Sequence, residues 1–378
     1  MNKVYKCLVL AFVFVACAYG VKGQEYRSFS LESMSFDKNG LYYSLPQTEL
    51  IFDVEVEKIT EYKGCFADYS YMLGLKNVVT KDGVTYRIKD IKIRPEAVAD
   101  ASQTYFMNTE GGINIVKSDI GSLSVISKKT EVKDKDADVL LHPKDVPHPP
   151  KEPKTMEKDI TNPTIAQRLL SEGMLESMPN MTAEKAIKEI ERLKELQLDV
   201  LSGSTDGTYM NTTVDFMYKQ LDRIIEGYVA MFSGERVVEK IRYSFSVIPQ
   251  KPLIVEEDLM LGIFKFSEKD GVLPLTNTDK DATAIVANIH SFNTTKNYAK
   301  IEEQKSHNDK IQSSIAKKGV GVYYRIPETV NVSVNIADKS FKKTLKISQF
   351  GVVSYLMDSP SKIVFDDKTG ALKFVSKD

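Results

Sequence analysis

TELIFDVEVE, residues 48–57, alternates apolar and polar side chains with a period of two. A β-strand points successive side chains to opposite faces, so this pattern predicts a strand with one apolar face and one mainly acidic face. Such a strand is typical of an antiparallel sheet that is packed on one side and solvated on the other. The β pattern continues in residues 85–93 and 113–126, so this part of the chain is predicted to be β-rich.

The chain changes character twice after this β-rich part. Residues 128–160 are charged and rich in proline, which predicts an extended linker. Two amphipathic patterns follow, each ending at Ser-Gly, and they predict a helical hairpin in residues 161–235. The β patterns return in residues 236–378. The sequence therefore predicts an α+β fold, in which two β-rich, antiparallel and sandwich-like domains (24–127 and 236–378) bracket a central helical hairpin.

Two nine-residue segments of the chain resemble each other. GLYYSLPQT at residues 40–48 and GVYYRIPET at residues 321–329 are identical at five positions, and each leads into an alternating strand. The proline of each segment interrupts a β ladder, which is tolerated at a sheet edge or a bulge. One interpretation is an internal duplication that produced both β-rich domains. The other interpretation is that two unrelated strands each place a proline at a sheet edge in the same way.

The first 23 residues predict a signal peptide. Two lysines precede a continuous apolar run, and small residues stand just before Gln24, where cleavage is expected. The apolar run is shorter than the roughly 20 residues that a membrane-spanning helix needs. The alternative is a lipid on Cys17, at the end of the lipobox-like FVAC, and only then is membrane attachment expected. Cleavage before Gln24 leaves Cys65 as the last cysteine, so no internal disulfide is expected.

Several short blocks of sequence resemble the signature of a known family. They are YYSLPQT at 42–48, LGL at 73–75, LSG at 201–203, YYRIP at 323–327, ISQFG at 347–351 and FDDKTGAL at 365–372. In this order they resemble an exported family of Bacteroidota that is catalogued as domain of unknown function 4831. The resemblance implies an envelope protein, located in the periplasm or at the periphery of the outer membrane. It implies no catalytic residues.

The sequence contains few groups that commonly perform catalysis. It has no G-x-S-x-G, H-E-x-x-H, P-loop or dinucleotide fingerprint, and it has four histidines. His142 and His148 lie in the proline-rich linker, which is a poor platform for holding metal ligands convergently. We therefore predict no catalytic, cofactor-binding or metal-binding residues. The near balance of 51 basic and 52 acidic residues also argues against nucleic acid as a partner.

The aromatic residues supply the candidate binding surface. The chain has 18 tyrosines, 17 phenylalanines and no tryptophan, so a platform for stacking sugar rings would use tyrosine or phenylalanine. The tyrosines assigned to this surface are Tyr42, Tyr43, Tyr69, Tyr71, Tyr323 and Tyr324. The alternative is that these side chains are core residues or cross-strand partners.

The expected function is that of a non-enzymatic protein of the cell envelope. It would bind or assemble with another envelope protein, using sheet edges and the helical hairpin as contact surfaces. The alternative is a glycan-binding protein or a glycan-active enzyme, since the many acidic residues offer carboxylate pairs that sequence alone does not place in space.

Overall fold

The structure is a computed structural model that describes nine parts of the chain. They are residues 27–30, 40–108, 113–128, 154–159, 181–202, 211–251, 258–306, 321–357 and 360–376. Cys17, the expected cleavage site before Gln24, and both linker histidines, His142 and His148, lie outside these parts. Within them, no helix is both long and apolar enough to cross a membrane.

The described elements are mostly strands. The strands are β1 (Arg27–Ser30), β2 (Gly40–Tyr62), β3 (Gly83–Asn108), β4 (Ile113–Lys117), β5 (Leu123–Lys128), β6 (Lys154–Asp159), β7 (Glu235–Val247), β8 (Leu259–Ser267), β9 (Gly271–Leu273), β10 (Thr283–Ser291), β11 (Val322–Ile336), β12 (Lys339–Leu356), β13 (Lys362–Phe365) and β14 (Leu372–Val375). The helices are a 3-10 helix (Ala67–Leu73), α1 (Ala183–Ser202), α2 (Asn211–Ser233) and α3 (Lys296–Ser306).

The described strands form three antiparallel sheets. The first sheet has the order β1-β3-β2-β7-β6, the second has β12-β11-β10-β8-β9, and the third has β14-β13-β5-β4. The prediction of an α+β fold with antiparallel, sandwich-like β structure is confirmed. The sheets cross the boundaries suggested by sequence, because β7 pairs with β2 and the third sheet joins β4 and β5 to β13 and β14. Residues 154–159, predicted as linker, form β6 because the open edge of β7 accepts an extended segment.

The main core lies between the first and second sheets. On the apolar face of residues 48–57, the side chains of Leu50, Phe52, Val54 and Val56 are at most 1% exposed. They pack against buried side chains of the second sheet such as Ile289 and Val332. The ring of Phe245 on β7 stacks on that of Phe264 on β8, with centroids 4.7 Å apart. The apolar face predicted from residues 48–57 is therefore the inner face of the sandwich.

The opposite face of β2 carries the predicted acids. Arg94 Nε donates a hydrogen bond to Asp53 Oδ2 at 2.7 Å, and Arg87 Nη2 donates to Glu57 Oε2 at 2.5 Å. The hydrogen bond from Arg87 lowers the pKa of Glu57, although burial acts to raise it. Asp53, Glu55 and Glu57 of β2 are thus paired with bases of β3, so much of the charge on the outer face of the first sheet is neutralised within that face.

The predicted helical hairpin is formed by α1 and α2. Side chains of both helices, such as Ile190 and Phe232, pack with each other and with Phe66 beside the 3-10 helix. The hairpin is attached at this base, because the backbone N–H of Phe66 donates to the carbonyl of Met231 at 2.8 Å. Gly234 ends α2 with a φ of 73°, which glycine adopts without strain, and β7 follows at once.

The two similar segments occupy corresponding places in two long hairpins, β2–β3 and β11–β12. In the first hairpin, the register shifts between Ser44 and Pro46. In the second, it shifts between Ile326 and Glu328, with Pro327 between them. At both places the partner strand advances five residues while the proline-containing strand advances two. The two bulges are therefore of the same size and lie beside the two prolines, offset by one position, because the register skips Leu45 in the first hairpin and Pro327 in the second.

The glycine that opens each segment also has an equivalent environment. A Cβ on Gly40 would lie 2.3 Å from the carbonyl oxygen of Met107 and equally close to the ring of Phe106. A Cβ on Gly321 would lie 2.1 Å from the carbonyl oxygen of Leu356 and 2.9 Å from the ring of Tyr355. Each glycine thus lies under an aromatic ring of the partner strand. Duplication stays a hypothesis, and this shared geometry agrees with it.

Replacing either opening glycine by alanine is expected to destabilise the protein. Gly40→Ala and Gly321→Ala should each lower the free energy of unfolding by about 1–3 kcal/mol, because the added methyl group overlaps backbone. Gly83→Ala is the matched control, since a Cβ there meets nothing within 4 Å. Urea unfolding monitored by circular dichroism measures the difference. If Gly40→Ala and Gly83→Ala unfolded at the same urea concentration, the added methyl group at residue 40 would not be crowded.

Candidate functional site

The two long hairpins meet at a buried group of side chains that we call the hairpin joint, formed by Tyr43, Tyr105, Tyr323, Arg325 and Asp100. Tyr43 is 1% exposed. Its hydroxyl donates to the carbonyl of Tyr323 at 3.4 Å and accepts from the N–H of the same residue at 3.1 Å. The ring of Tyr105 stacks on that of Tyr323, with centroids 4.2 Å apart. The hydroxyl of Tyr43 therefore binds the backbone N–H and carbonyl of Tyr323, as a neighbouring strand would.

Burial keeps the phenols of the hairpin joint protonated. It raises the pKa of Tyr43 far above the ordinary value, against the lowering effect of its hydrogen bonds. Burial, together with the neighbouring Tyr323, raises the pKa of Tyr105 to about 12. Neutral phenols at these positions donate and accept hydrogen bonds, and they are poor bases and poor nucleophiles.

A buried ion pair lies beside these tyrosines. Arg325 and Asp100 are 4% and 7% exposed, and Arg325 Nη2 donates to Asp100 Oδ2. The other carboxylate oxygen accepts from Ser102 Oγ at 2.6 Å and from the Ser102 N–H at 3.0 Å. Burial lowers the pKa of Arg325, and the charge of Asp100 opposes this effect. Within the described residues, Arg325 Nε is buried without a hydrogen-bond partner.

A side-chain amide makes a further link between the hairpins. Gln349 Oε1 accepts from the N–H of Thr48 at 2.8 Å, and Gln349 Nε2 donates to the carbonyl of Thr48 at 2.8 Å. The same Nε2 donates to the carbonyl of Pro249 at 3.0 Å, just after β7. Gln349 lies in the bulge of β12, so the residues that the register shift removes from the ladder bind the other hairpin instead.

The profile of one family covers this whole arrangement. A family described as a domain of unknown function (DUF4831) matches residues 39–373. The chain belongs to the DUF4831 family. No curated protein and no solved structure matches the chain. The match begins just before β2 and ends within β14, so the family region of this DUF4831 chain contains both long hairpins, the helical hairpin and the three described sheets apart from β1 and the end of β14.

The six tyrosines assigned to a binding surface do not form one surface in the DUF4831 chain. Tyr43 lies in the core, and Tyr323 and Tyr324 are half-buried. Tyr42, Tyr69 and Tyr71 are exposed, at 46%, 48% and 73%.

The exposed tyrosines are separated by the length of one strand. Tyr42 lies near the start of β2, whereas Tyr69 and Tyr71 follow its end. The 23 residues of β2 span about 70 Å at roughly 3.3 Å per residue. The structure therefore brings Tyr43 and Tyr323 together as packing partners and keeps the exposed tyrosines apart.

The buried ion pair was missed by reasoning from sequence. Asp100 and Arg325 are 225 residues apart, and neither lies in a recognisable motif. One signal was present in the repeated segment, where Arg325 stands at the position that holds Ser44 in the first copy. A charge in a segment that is otherwise conservative between the two copies indicates a contact specific to the second hairpin.

A second buried carboxylate positions helix α3. Glu328 is 3% exposed, and its Oε1 accepts from the N–H and Oγ1 of Thr294 at 2.8 and 2.9 Å. Its Oε2 accepts from the N–H and Oγ1 of Thr295 at 2.8 and 2.5 Å, and α3 begins at the next residue. Burial acts to raise the pKa of Glu328, but the hydrogen bonds from the two threonines lower it below the ordinary value.

The described part of the chain contains no group of three or more His, Cys, Asp or Glu side chains placed to hold a metal ion. The hairpin joint is instead built from neutral phenols and one ion pair, in which Arg325 Nη2 donates to Asp100. These contacts hold the first and second sheets in one relative position.

Breaking the ion pair from one side is expected to be costly. Asp100→Leu leaves the Arg325 charge buried without its partner and should lower the free energy of unfolding by about 3–5 kcal/mol. The double variant Asp100→Leu/Arg325→Met should recover much of this loss, because no buried charge is left. Asp215→Ala, in the exposed pair with Lys219, serves as control and should change little. If the double variant were less stable than Asp100→Leu, the unpaired charge of Arg325 would not be the cause of the loss.

Glu328 makes stability depend on pH in a defined direction. Because its folded pKa is lowered, the carboxylate stabilises the protein fully above the unfolded value of about 4.3, and this contribution is lost as pH falls through the folded pKa. Glu328→Gln should cost about 1–3 kcal/mol at pH 7, since one amide replaces four accepted hydrogen bonds. The difference from wild type should shrink below about pH 4.

Urea unfolding between pH 7 and the acid limit of the folded state measures this difference. Glu191→Gln, on the exposed side of α1, is the control and should unfold like the wild type at every pH. A loss for Glu328→Gln that is the same at all pH values would show that the charge of Glu328 does not matter.

Proposed function

We propose that this DUF4831 protein is a non-enzymatic protein of the cell envelope that binds or assembles with another protein through its helical hairpin. Its location would be the periplasm or the periphery of the outer membrane, and the signal-like residues 1–23 support this. The observation that carries the proposal is the position of exposed apolar side chains at the end of the hairpin remote from its attachment.

The two ends of the hairpin differ in what they contact. The base, where α2 ends, packs against Phe66 and the 3-10 helix. At the other end, Leu198 and Leu201 near the end of α1 are 65% and 59% exposed, and Phe216 near the start of α2 is 61% exposed. The antiparallel pairing places these three side chains at the same end of the hairpin. Large apolar side chains grouped on a projecting element are typical of a protein contact surface.

Three carboxylates that the structure describes are poorly suited to glycan hydrolysis. A glycosidase needs one carboxyl group whose pKa is raised so that it can donate a proton. Hydrogen bonds lower the pKa of Asp53, Glu57 and Glu328, although burial acts to raise the pKa of each. These groups are therefore charged at neutral pH and already have donors.

A pull-down from envelope extracts tests the proposed contact surface. The full exported chain should recover a specific protein partner, and the variant Leu198→Glu/Phe216→Glu should lose at least about tenfold of it, because charge is placed at an apolar contact. Lys188→Glu, exposed on α1, is the control and should retain the partner. Melting temperatures confirm that all variants are folded.

Recovery of the same partner by Leu198→Glu/Phe216→Glu would contradict the role of the hairpin. Failure of the wild-type chain to recover any specific protein would contradict the assembly function as a whole.

A further inference from the structure

The outer face of the second sheet is a regular array of polar side chains. In one row across the sheet, His290 of β10 pairs with Asn331 of β11, which pairs with Thr344 of β12. In the adjacent row, Asn288 pairs with Ser333, which pairs with Lys342. These residues alternate along each strand with buried residues of the main core, so their side chains lie on the face that points away from it. We call these six residues, together with Lys346 of β12, the polar face.

The charges of the polar face are not neutralised locally. Lys342 and Lys346 are exposed on β12, and neither forms an ion pair with a residue that the structure describes. Among the residues that the structure describes, the nearest acid along these rows is Asp258, whose carboxylate is bound to His290 Nδ1 at 2.7 Å and to Asn288 Nδ2 at 3.3 Å. The outer face of the first sheet differs in this respect, since Asp53, Glu55 and Glu57 on it are paired with bases.

Three hydrogen-bonding side chains of the polar face are also available. The side chains of Asn331, Ser333 and Thr344 have no hydrogen bond with the rest of the described structure. Asparagine is depleted in strands, yet Asn288 and Asn331 stand on β10 and β11, which are interior strands of the sheet. Lysines on an edge strand such as β12 can serve to prevent aggregation, but this does not account for the amides on interior strands.

We propose that the polar face binds an acidic polysaccharide. The amide of Asn331 and the hydroxyls of Ser333 and Thr344, in adjacent rows, match the hydroxyl groups of a sugar chain, which are both donors and acceptors. Lys342 and Lys346 lie about 13 Å apart along β12, at roughly 3.3 Å per residue, and they match carboxylates that recur along a uronic acid chain. At the margins, Met260 and Phe292 are 71% and 50% exposed and offer apolar contact to sugar rings.

A sugar chain fits the polar face better than a nucleic acid does. Single-stranded nucleic acid is bound by series of aromatic side chains in a positively charged groove. The polar face has one aromatic residue at its margin, Phe292, and the whole chain has a net charge of -1. The proposed ligand surface is separate from the helical hairpin, so it does not depend on the proposed protein contact.

Binding to defined polymers tests the proposal. Polygalacturonate is the probe, with neutral dextran and single-stranded DNA of similar length as comparison polymers, and the full exported chain is titrated by calorimetry. The wild type should bind polygalacturonate and not dextran, and Lys342→Glu/Lys346→Glu should weaken binding by about tenfold or more. Lys188→Glu/Lys194→Glu, exposed on α1, makes the same change of net charge and should bind like the wild type.

A further variant separates recognition of sugar from general attraction of charge. Asn331→Ala/Ser333→Ala keeps every charge and should still weaken polygalacturonate binding several-fold, about 3- to 10-fold, because two hydrogen-bonding groups are lost. The hairpin variant Leu198→Glu/Phe216→Glu should bind polygalacturonate normally, which keeps this test independent of the protein partner. Unchanged melting temperatures show that the variants are folded.

Three results would overturn the proposal. They are no binding of polygalacturonate by the wild type, equal binding of DNA, and equal weakening by the two lysine pairs.

Discussion

Strand β2 is paired along most of its length on both sides, with β3 on one edge and with β7 on the other. Its inner face is buried against the second sheet, so a slip of one residue would expose Phe52 and bury Asp53. The same pairing positions the helical hairpin, because Tyr62 at the end of β2 pairs with Glu235, directly after α2 and Gly234. The register of one strand therefore determines the core, the charged outer face and the attachment of the helices.

The hairpin joint adds specificity to this arrangement. An apolar contact between two sheets tolerates small shifts, whereas a buried ion pair and reciprocal hydrogen bonds are satisfied in one position. Arg325 with Asp100 and Gln349 with Thr48 both use residues at or beside the register shifts. The bulges therefore have a physical role, since they take backbone and side-chain groups out of one hairpin and present them to the other.

The surfaces of the molecule differ in how many of their charged and hydrogen-bonding groups are paired within the protein. The outer face of the first sheet is occupied by its own ion pairs, such as Arg94 with Asp53. The far end of the helical hairpin exposes leucines and a phenylalanine. The polar face of the second sheet leaves two lysines, one amide and two hydroxyls without side-chain partners in the described structure. On the proposals made above, the first of these two surfaces would contact a protein and the second a polysaccharide, so one DUF4831 chain would join the two.

Several features could be read from local sequence because they depend on residues close together in the chain. The apolar and acidic faces of residues 48–57 follow from the period of two, and the ends of α1 and α2 follow from the residues at their termini, such as Gly234. The blocks that resemble domain of unknown function 4831 were also local, and the family is confirmed. The similarity of residues 40–48 to 321–329 located two strands that each have a bulge of the same size beside the proline.

The tertiary structure alone decided which strands pair and which side chains meet. The period of a strand reports which face is buried, but it carries no information on which distant strand will lie beside it. For this reason the ranges 24–127 and 236–378 were predicted as separate domains, whereas their strands share the first and third sheets. For the same reason Tyr43 was assigned to a surface and lies in the core, since its burial is created by a hairpin 280 residues further along the chain.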